Sequence, residues 1–205
     1  AMSSFGALPL NAKALRCDAI AASSNKCLQG APGVGFVICE TACLAEAKGH
    51  CHSVSLDLHD QLAGLESNGQ WRFTPPTHVL ASLDAALNEL DAEGGTTARL
   101  ARYQANADIL IDGLTALGFE LLLERSWQAP IIVTFCAPTH ESWDFEQFYA
   151  ALQSRGFTIY PGKLSQQDSF RVGCIGALDA EVMKGFVSAC EAVIAELGIE
   201  LGKNS

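Results

Sequence analysis

Basic residues are scarce in this chain of 205 residues: 13 lysines and arginines stand against 23 aspartates and glutamates, for a net charge of -10. No cluster of lysine or arginine interrupts that balance. Nucleic acid and anionic membrane surfaces both reward basic patches, so neither is expected as a partner. Long apolar runs are missing as well, and none approaches the roughly 18 residues that span a bilayer. The first ten residues have no basic start and no long apolar segment, so they do not read as a secretory signal. Internal repeats and low-complexity stretches are also lacking. Gly30, Gly33 and Gly35 lack the dinucleotide-binding spacing and fall between two strand-like runs, not ahead of a helix. No histidine pairs with a serine or cysteine nucleophile signature.

Apolar residues make up 49% of the chain and its mean hydropathy is +0.18, which predicts a folded protein with one substantial core or two small ones. Eight cysteines are present. Cys136, Cys174 and Cys190 sit in apolar runs, where a free thiol packs as a small hydrophobe. With no secretory signal, reduced thiols and a cytoplasmic location are expected. Cys39 and Cys43, followed by His50, Cys51 and His52, are zinc-type ligands, but their spacing fits no common zinc module. They read as ordinary packing or surface residues, and no metal is expected.

One lysine stands out. Ser23-Ser24-Asn25-Lys26-Cys27-Leu28-Gln29-Gly30 connects two short apolar runs that read as buried strands, 17–22 and 35–39. Gly30, Pro32, Gly33 and Gly35 punctuate the exit and permit close backbone approach. A lysine shielded from water in such a turn gives up its proton more readily, which suits a Schiff-base lysine. The plainer reading is a surface lysine in a strand-to-strand loop. Ser23, Ser24 and Asn25 suit satisfaction of loop backbone groups.

Downstream, 40–48 reads as a helix ended by Gly49, 50–61 as a short strand or extended arm, and 64–70 as a loop. Pro75 and Pro76 then forbid regular structure, and Thr74 is held rigidly before them, either as a turn residue or as a phosphate contact. Thr77 is the expected cap of a helix through Leu80, Leu83, Leu87 and Leu90. Thr96 or Thr97 is the expected cap of a second helix, reaching Leu117. Strands are predicted at 119–123, 130–135, 157–160 and 170–175, with amphipathic helices over 144–155 and from Asp179 to Leu197. That order predicts an α+β layer with helices on one sheet face. Arg171 interrupts the apolar residues of its strand; it reads as an acid-group receptor, or as a salt-bridged or edge-strand arginine.

These residues converge on a family. The Ser23–Gly30 segment with Pro32 and Gly33 resembles the cofactor-lysine segment of class V aminotransferases, which are fold-type I pyridoxal phosphate enzymes. The segments 68–78, 156–163 and 170–176, with Ala1–Gly6 and Leu8-Pro9, are similar to those of members that move an amino group from 2-aminoethylphosphonate to pyruvate in phosphonate degradation. The resemblance implies an α/β and α+β fold: residues 1–95 as the remaining part of a large cofactor-binding domain with a dimer-contact loop, and 96–205 as a linking helix with the small C-terminal α+β domain. It implies that Lys26 carries pyridoxal 5'-phosphate and shuttles a proton, with Asn25 beside it. It further implies that Thr74 contacts the cofactor phosphate of the neighbouring subunit in a homodimer, and that Arg171 binds the substrate's acid group. In the family an aspartate facing the pyridine nitrogen immediately precedes the segment that here begins at Ala1. The chain is therefore expected to be the C-terminal portion of the enzyme, with its activity alone left open. A non-catalytic fragment or dimerisation module, and an alanine- or serine-glyoxylate type aminotransferase, are the other readings.

Overall fold

The structure is a computed structural model and describes residues 1–162 and 167–202. Lys163 lies outside them. Two compact units divide the chain, Ala1–Thr97 and Ala98–Ser205.

In the first unit a short helix α1 (Ala12–Leu15) leads to strand β1 (Ala19–Ser23), which pairs antiparallel with β2 (Gly35–Cys39). The register runs from Ala19 opposite Cys39 to Ser23 opposite Gly35. Neither strand is buried as the apolar runs suggest; Ala22 is the one residue of the pair fully enclosed. Helix α2 (Thr41–Glu46) follows. Helix α3 (Leu58–Asn68) then replaces the strand and loop expected over 50–70. Asp57 starts it by accepting a hydrogen bond from the Asp60 amide, and Gly69 ends it at φ 71°. Leu58, Leu62 and Leu65 fall at helical spacing, which overrides the Val54, Leu56, Leu58 alternation. Helix α4 (Thr77–Glu93) begins at its expected cap, Thr77, one residue earlier than expected, and Pro76 holds the cap position. It ends at Gly94, whose φ of 108° demands glycine.

Helix α5 (Gly95–Ala116) starts without a threonine cap, and its residues from Ala98 onward belong to the second unit. That unit continues through β3 (Ile132–Cys136), α6 (Phe145–Gln153), β4 (Tyr160–Pro161), β5 (Ser169–Gly173) and α7 (Ala180–Glu196). The strands form an antiparallel sheet in the order β3-β5-β4. The strand expected over 119–123 is reduced to one bridge between Leu121 and Phe135. Asp144 and Asp179 cap α6 and α7 by accepting from the Gln147 and Val182 amides. Val133, Phe135, Phe170 and Val172 point from one sheet face into a core shared with Leu110 and Leu114 of α5, Phe148 and Leu152 of α6, and Phe186 and Val193 of α7. Gly113 lets α5 approach α7 closely: a Cβ there would stand 2.5 Å from Val187 Cγ2.

Buried thiols give this core a chemical signature. Burial pushes the Cys174 thiol up to about 12 and raises that of Cys190 further. Alkylation of the native protein near pH ~8 is expected to spare both and to modify exposed Cys17 and Cys51. The same shift lowers stability as pH rises above the ordinary thiol value of 9.0, because the unfolded thiols ionise there while the folded ones stay protonated up to about 12. Peptide mapping that finds native Cys190 alkylated as fast as Cys51 refutes this.

Candidate active site

Lys26 lies on the connection between β1 and β2, and its backbone is pinned on both sides. Ser24, fully buried, receives the most bonds. Its amide donates to the Val34 carbonyl at 3.1 Å, its hydroxyl donates to Ala31 O at 2.6 Å, and its carbonyl accepts from the Gly30 amide at 2.8 Å. The loop is thereby closed across its base. On the far side the Gln29 amide donates to the Lys26 carbonyl at 2.9 Å, with Gln29 in the left-handed region at φ 64°. Cys27 and Leu28 are buried; the Cys27 thiol donates to Ser3 O at 3.0 Å, and Leu28 covers Gly6.

Helix α4 backs the loop. Ser82 Oγ accepts from the Ala31 amide at 3.0 Å, a Cβ on Gly30 would meet Leu83 Cα at 3.4 Å, and one on Gly33 would meet Val79 Cγ2 at 3.1 Å. The glycines are thus used for packing the loop onto α4, not for enclosing the lysine. Lys26 itself is exposed, as is Asn25, and no described residue bonds its amine. The expected dry crevice is corrected accordingly: burial falls on Ser24, Cys27 and Leu28, and they hold a solvent-facing amine in a fixed place. Removing the Ser24 hydroxyl (Ser24→Ala) leaves the Ala31 carbonyl short of a donor in a buried turn, at a cost of about 1–3 kcal/mol. Faster amide exchange at Gly30 and a lowered Tm are the expected readouts; an unchanged exchange rate contradicts this role.

Thr74 is exposed on the segment between α3 and α4, three residues before the helix that backs the lysine loop. Its neighbours Trp71 and Phe73 are 47% and 49% exposed. Between them Arg72 donates to Val54 O at 3.2 Å, pairs with Asp60 at 3.7 Å and lies 5.3 Å from the Phe73 ring. The segment therefore holds two apolar rings in solvent on an anchored arginine.

Arg171 belongs to the second unit. It sits on β5, the central strand, so it is not an edge-strand residue. Its side chain leaves the core face, as the burial alternation of β5 shows. Among the described residues no carboxylate pairs with it; its Nε donates to Pro161 O at 3.1 Å and its guanidinium lies 5.9 Å from the Tyr160 ring. No internal salt bridge of Arg171 is thus seen among the described residues.

The residues discussed as zinc ligands do not gather as the sequence orders them. Cys43 instead meets Asp18 and Glu40, while Cys51 donates to Ser53 O at 3.4 Å. Among the described residues, the other such cluster is Asp57, His59 and Asp60. Desolvation, followed by Asp18 and Glu40, raises the Cys43 thiol above its ordinary value.

The arrangement of helices and sheets is one found in solved structures. Two solved structures share it: pyridoxamine-pyruvate aminotransferase from Mesorhizobium loti (TM-score 0.86, 22% identity, 98% of this chain and 53% of that one) and ureidoglycine-glyoxylate aminotransferase from Bacillus subtilis (0.83, 19%, 98% and 53%). The chain belongs to the class V aminotransferases, whose family model matches residues 1–170. Curated relatives include 2-aminoethylphosphonate–pyruvate transaminase 1 of Paraburkholderia xenovorans, 50% identical over 198 residues, covering 97% of this chain and 51% of the relative. The 2-aminoethylphosphonate–pyruvate transaminase of Pseudomonas putida is 50% identical over 199 residues, covering 97% and 54%. The chain spans about half the length of the curated relatives it matches.

Proposed function

We propose that this chain carries the lysine and the acid-binding arginine of a pyridoxal phosphate-dependent aminotransferase that transfers the amino group of 2-aminoethylphosphonate to pyruvate, giving phosphonoacetaldehyde and alanine. The observation that carries the reading is an exposed lysine amine on a hydrogen-bonded, glycine-backed loop, in a chain half identical to relatives named for that reaction. The loop fits the cofactor: an aldehyde reaches the amine from solvent, while buried Cys27 and Leu28 fix the backbone on which it stands. Lys26 would hold the group, with Asn25 beside it, and Thr74 would meet the phosphate held by a second copy. Pyridoxal phosphate supplies an electron sink for the carbon that carries the amino group.

Lys26 Nζ would serve as the base that takes the proton from that carbon. The terminal nitrogens of Arg171 clamp the acid group of donor and acceptor in turn. In this reading residues 1–95 serve the cofactor and 96–205 form the linking helix and small domain. Exposed Trp71 and Phe73 cover themselves in a homodimer. Among the described residues no helix is long and apolar enough to cross a membrane; a cytoplasmic location is proposed for the enzyme. The test is alanine formation from pyruvate with a panel of amino donors. A protein that forms no alanine with any donor is not this enzyme, and one that prefers serine or another α-amino acid to 2-aminoethylphosphonate has a different substrate.

A further inference from the structure

Arg171 does not stand alone on its sheet face. The register of the three-stranded sheet sets Thr134 of β3 directly opposite Arg171 on one side and Tyr160 of β4 directly opposite it on the other. Directly paired residues of antiparallel strands point to the same face, with their Cβ atoms about 4.5–5.5 Å apart. The alternation agrees: Val133, Phe135, Phe170 and Val172 are buried on the core side, while Thr134 and Arg171 are half-exposed and Tyr160 is 53% exposed. A hydroxyl, a guanidinium and a phenol therefore form one cross-strand row. Neither the Thr134 hydroxyl nor the Tyr160 hydroxyl is bonded to another described residue. The Nε of Arg171 donates to Pro161 O, and no described residue is hydrogen-bonded to its two terminal nitrogens.

We infer that Thr134 and Tyr160 are specificity-determining residues that let this site prefer a tetrahedral, three-oxygen acid over a planar carboxylate. The inference rests on the acid-binding reading of Arg171. The two terminal nitrogens of an arginine satisfy the two oxygens of a carboxylate in a fork. A phosphonate brings a third oxygen and more negative charge, and the fork leaves that oxygen without a donor. Thr134 and Tyr160 each supply one O–H donor beside the fork, and both are neutral, so they add hydrogen bonds without repelling the acid. A donor whose partner is absent from the wrong substrate discriminates more strongly than apolar packing does.

The experiment compares 2-aminoethylphosphonate with its carboxylate counterpart, 3-aminopropanoate, and its sulfonate counterpart, 2-aminoethanesulfonate, as donors to pyruvate. Thr134→Val and Tyr160→Phe are each expected to lower the phosphonate-to-carboxylate ratio of kcat/KM about tenfold, the value of one hydrogen bond to a charged group. The sulfonate, also three-oxygened, falls with the phosphonate. Thr134→Ser, which keeps the hydroxyl, restores the ratio. Calorimetric Kd values for ethylphosphonate and propanoate, which cannot react, shift in the same ratio. Equal losses for phosphonate and carboxylate, or no loss for either, overturn the inference. Arg171→Gln separates the two levels: if it leaves all three donors unaffected, the acid-binding reading fails. If it depresses all three while the Thr134 and Tyr160 variants keep the unaltered ratio, only the selectivity role fails.

Discussion

Lys26→Ala is expected to lower transamination by about 10³-fold, within the range spanned by positioned general acid–base groups, while leaving the fold intact. The backbone of the loop is held by Ser24, Gly30, Gln29 and the buried side chains of Cys27 and Leu28, none of which depends on the lysine side chain. Loss of function without loss of stability is therefore the signature. Lys26→Arg is expected to fail equally, because a guanidinium keeps the charge and the length but offers no amine for covalent attachment. Incubation with pyridoxal phosphate followed by borohydride gives a readout independent of turnover. The label should map to the Lys26 peptide in the unaltered protein and vanish in both variants. A label spread evenly over Lys13, Lys48 and Lys26 means that the loop confers no special reactivity, and the proposed role of Lys26 falls.

Phe170→Ala is expected to destabilise the second unit by about 3–5 kcal/mol, the usual loss for a buried phenylalanine. The side chain is fully buried, with ring centroids of Phe119, Phe135, Phe148 and Trp143 at 5.4, 5.6, 5.6 and 6.0 Å. Truncation opens a cavity among aromatic rings that the sheet and α6 hold in place, so collapse around it is limited. Domains of this size have about 5–15 kcal/mol in total, so roughly a fifth or more of the stability is at stake. Phe170→Leu, which refills most of the volume, should cost about 1.5 kcal/mol or less. Urea unfolding followed by tryptophan fluorescence, with Trp143 inside the cluster, measures both. Equal midpoints for the two variants contradict the cavity argument. Phe170 also adjoins Arg171 on β5, so Phe170→Ala is expected to weaken acid binding as well, whereas Phe170→Leu largely spares it.

The second unit was the more legible in sequence, because its signals are local. Asp144 and Asp179 each sit one residue before an amphipathic run, and Gly156 and Gly198 follow the ends at positive φ. Residues 50–70 misled for the opposite reason: Val54, Leu56 and Leu58 alternate by chance, and the cap at Asp57 decides for a helix. The lysine loop lies between the two strands expected, and the exposed Lys26 matches the plainer surface reading and not the shielded one. Apolar neighbours suggested burial of Lys26, whereas the alternation of inward Ser24, Cys27 and Leu28 leaves Asn25 and Lys26 outside. Thr134 and Tyr160 were not singled out, because their meeting with Arg171 is set by strand register across residues distant in sequence. One signal was available: Thr134 alternates between inward Val133 and Phe135, as Arg171 does between Phe170 and Val172.

The turn after β5 is tied to α5 by polar side chains. Arg102 donates to the Gly176 and Leu178 carbonyls at 2.7 and 2.8 Å, Asn106 to those of Cys174 and Leu178 at 3.2 and 3.0 Å, and the Gly176 amide donates to Tyr103 Oη at 3.3 Å. These bonds join residues 68 to 76 positions apart, whereas the Ser24 hydroxyl and the Val34 carbonyl, 3.3 Å away, lie only 10 apart. Closing a loop costs about 0.6 kcal/mol more for each doubling of its length, and long-range closures are slow to form. The Ser24 closure within the loop that presents Lys26 can therefore form early in folding, whereas the seat of that loop on α4, through the Ala31 amide and Ser82 Oγ 51 positions away, forms later. The clamp next to the Arg171 strand must wait until the chain from α5 to the turn after β5 is in place, so it is a later product of folding than the Ser24 closure.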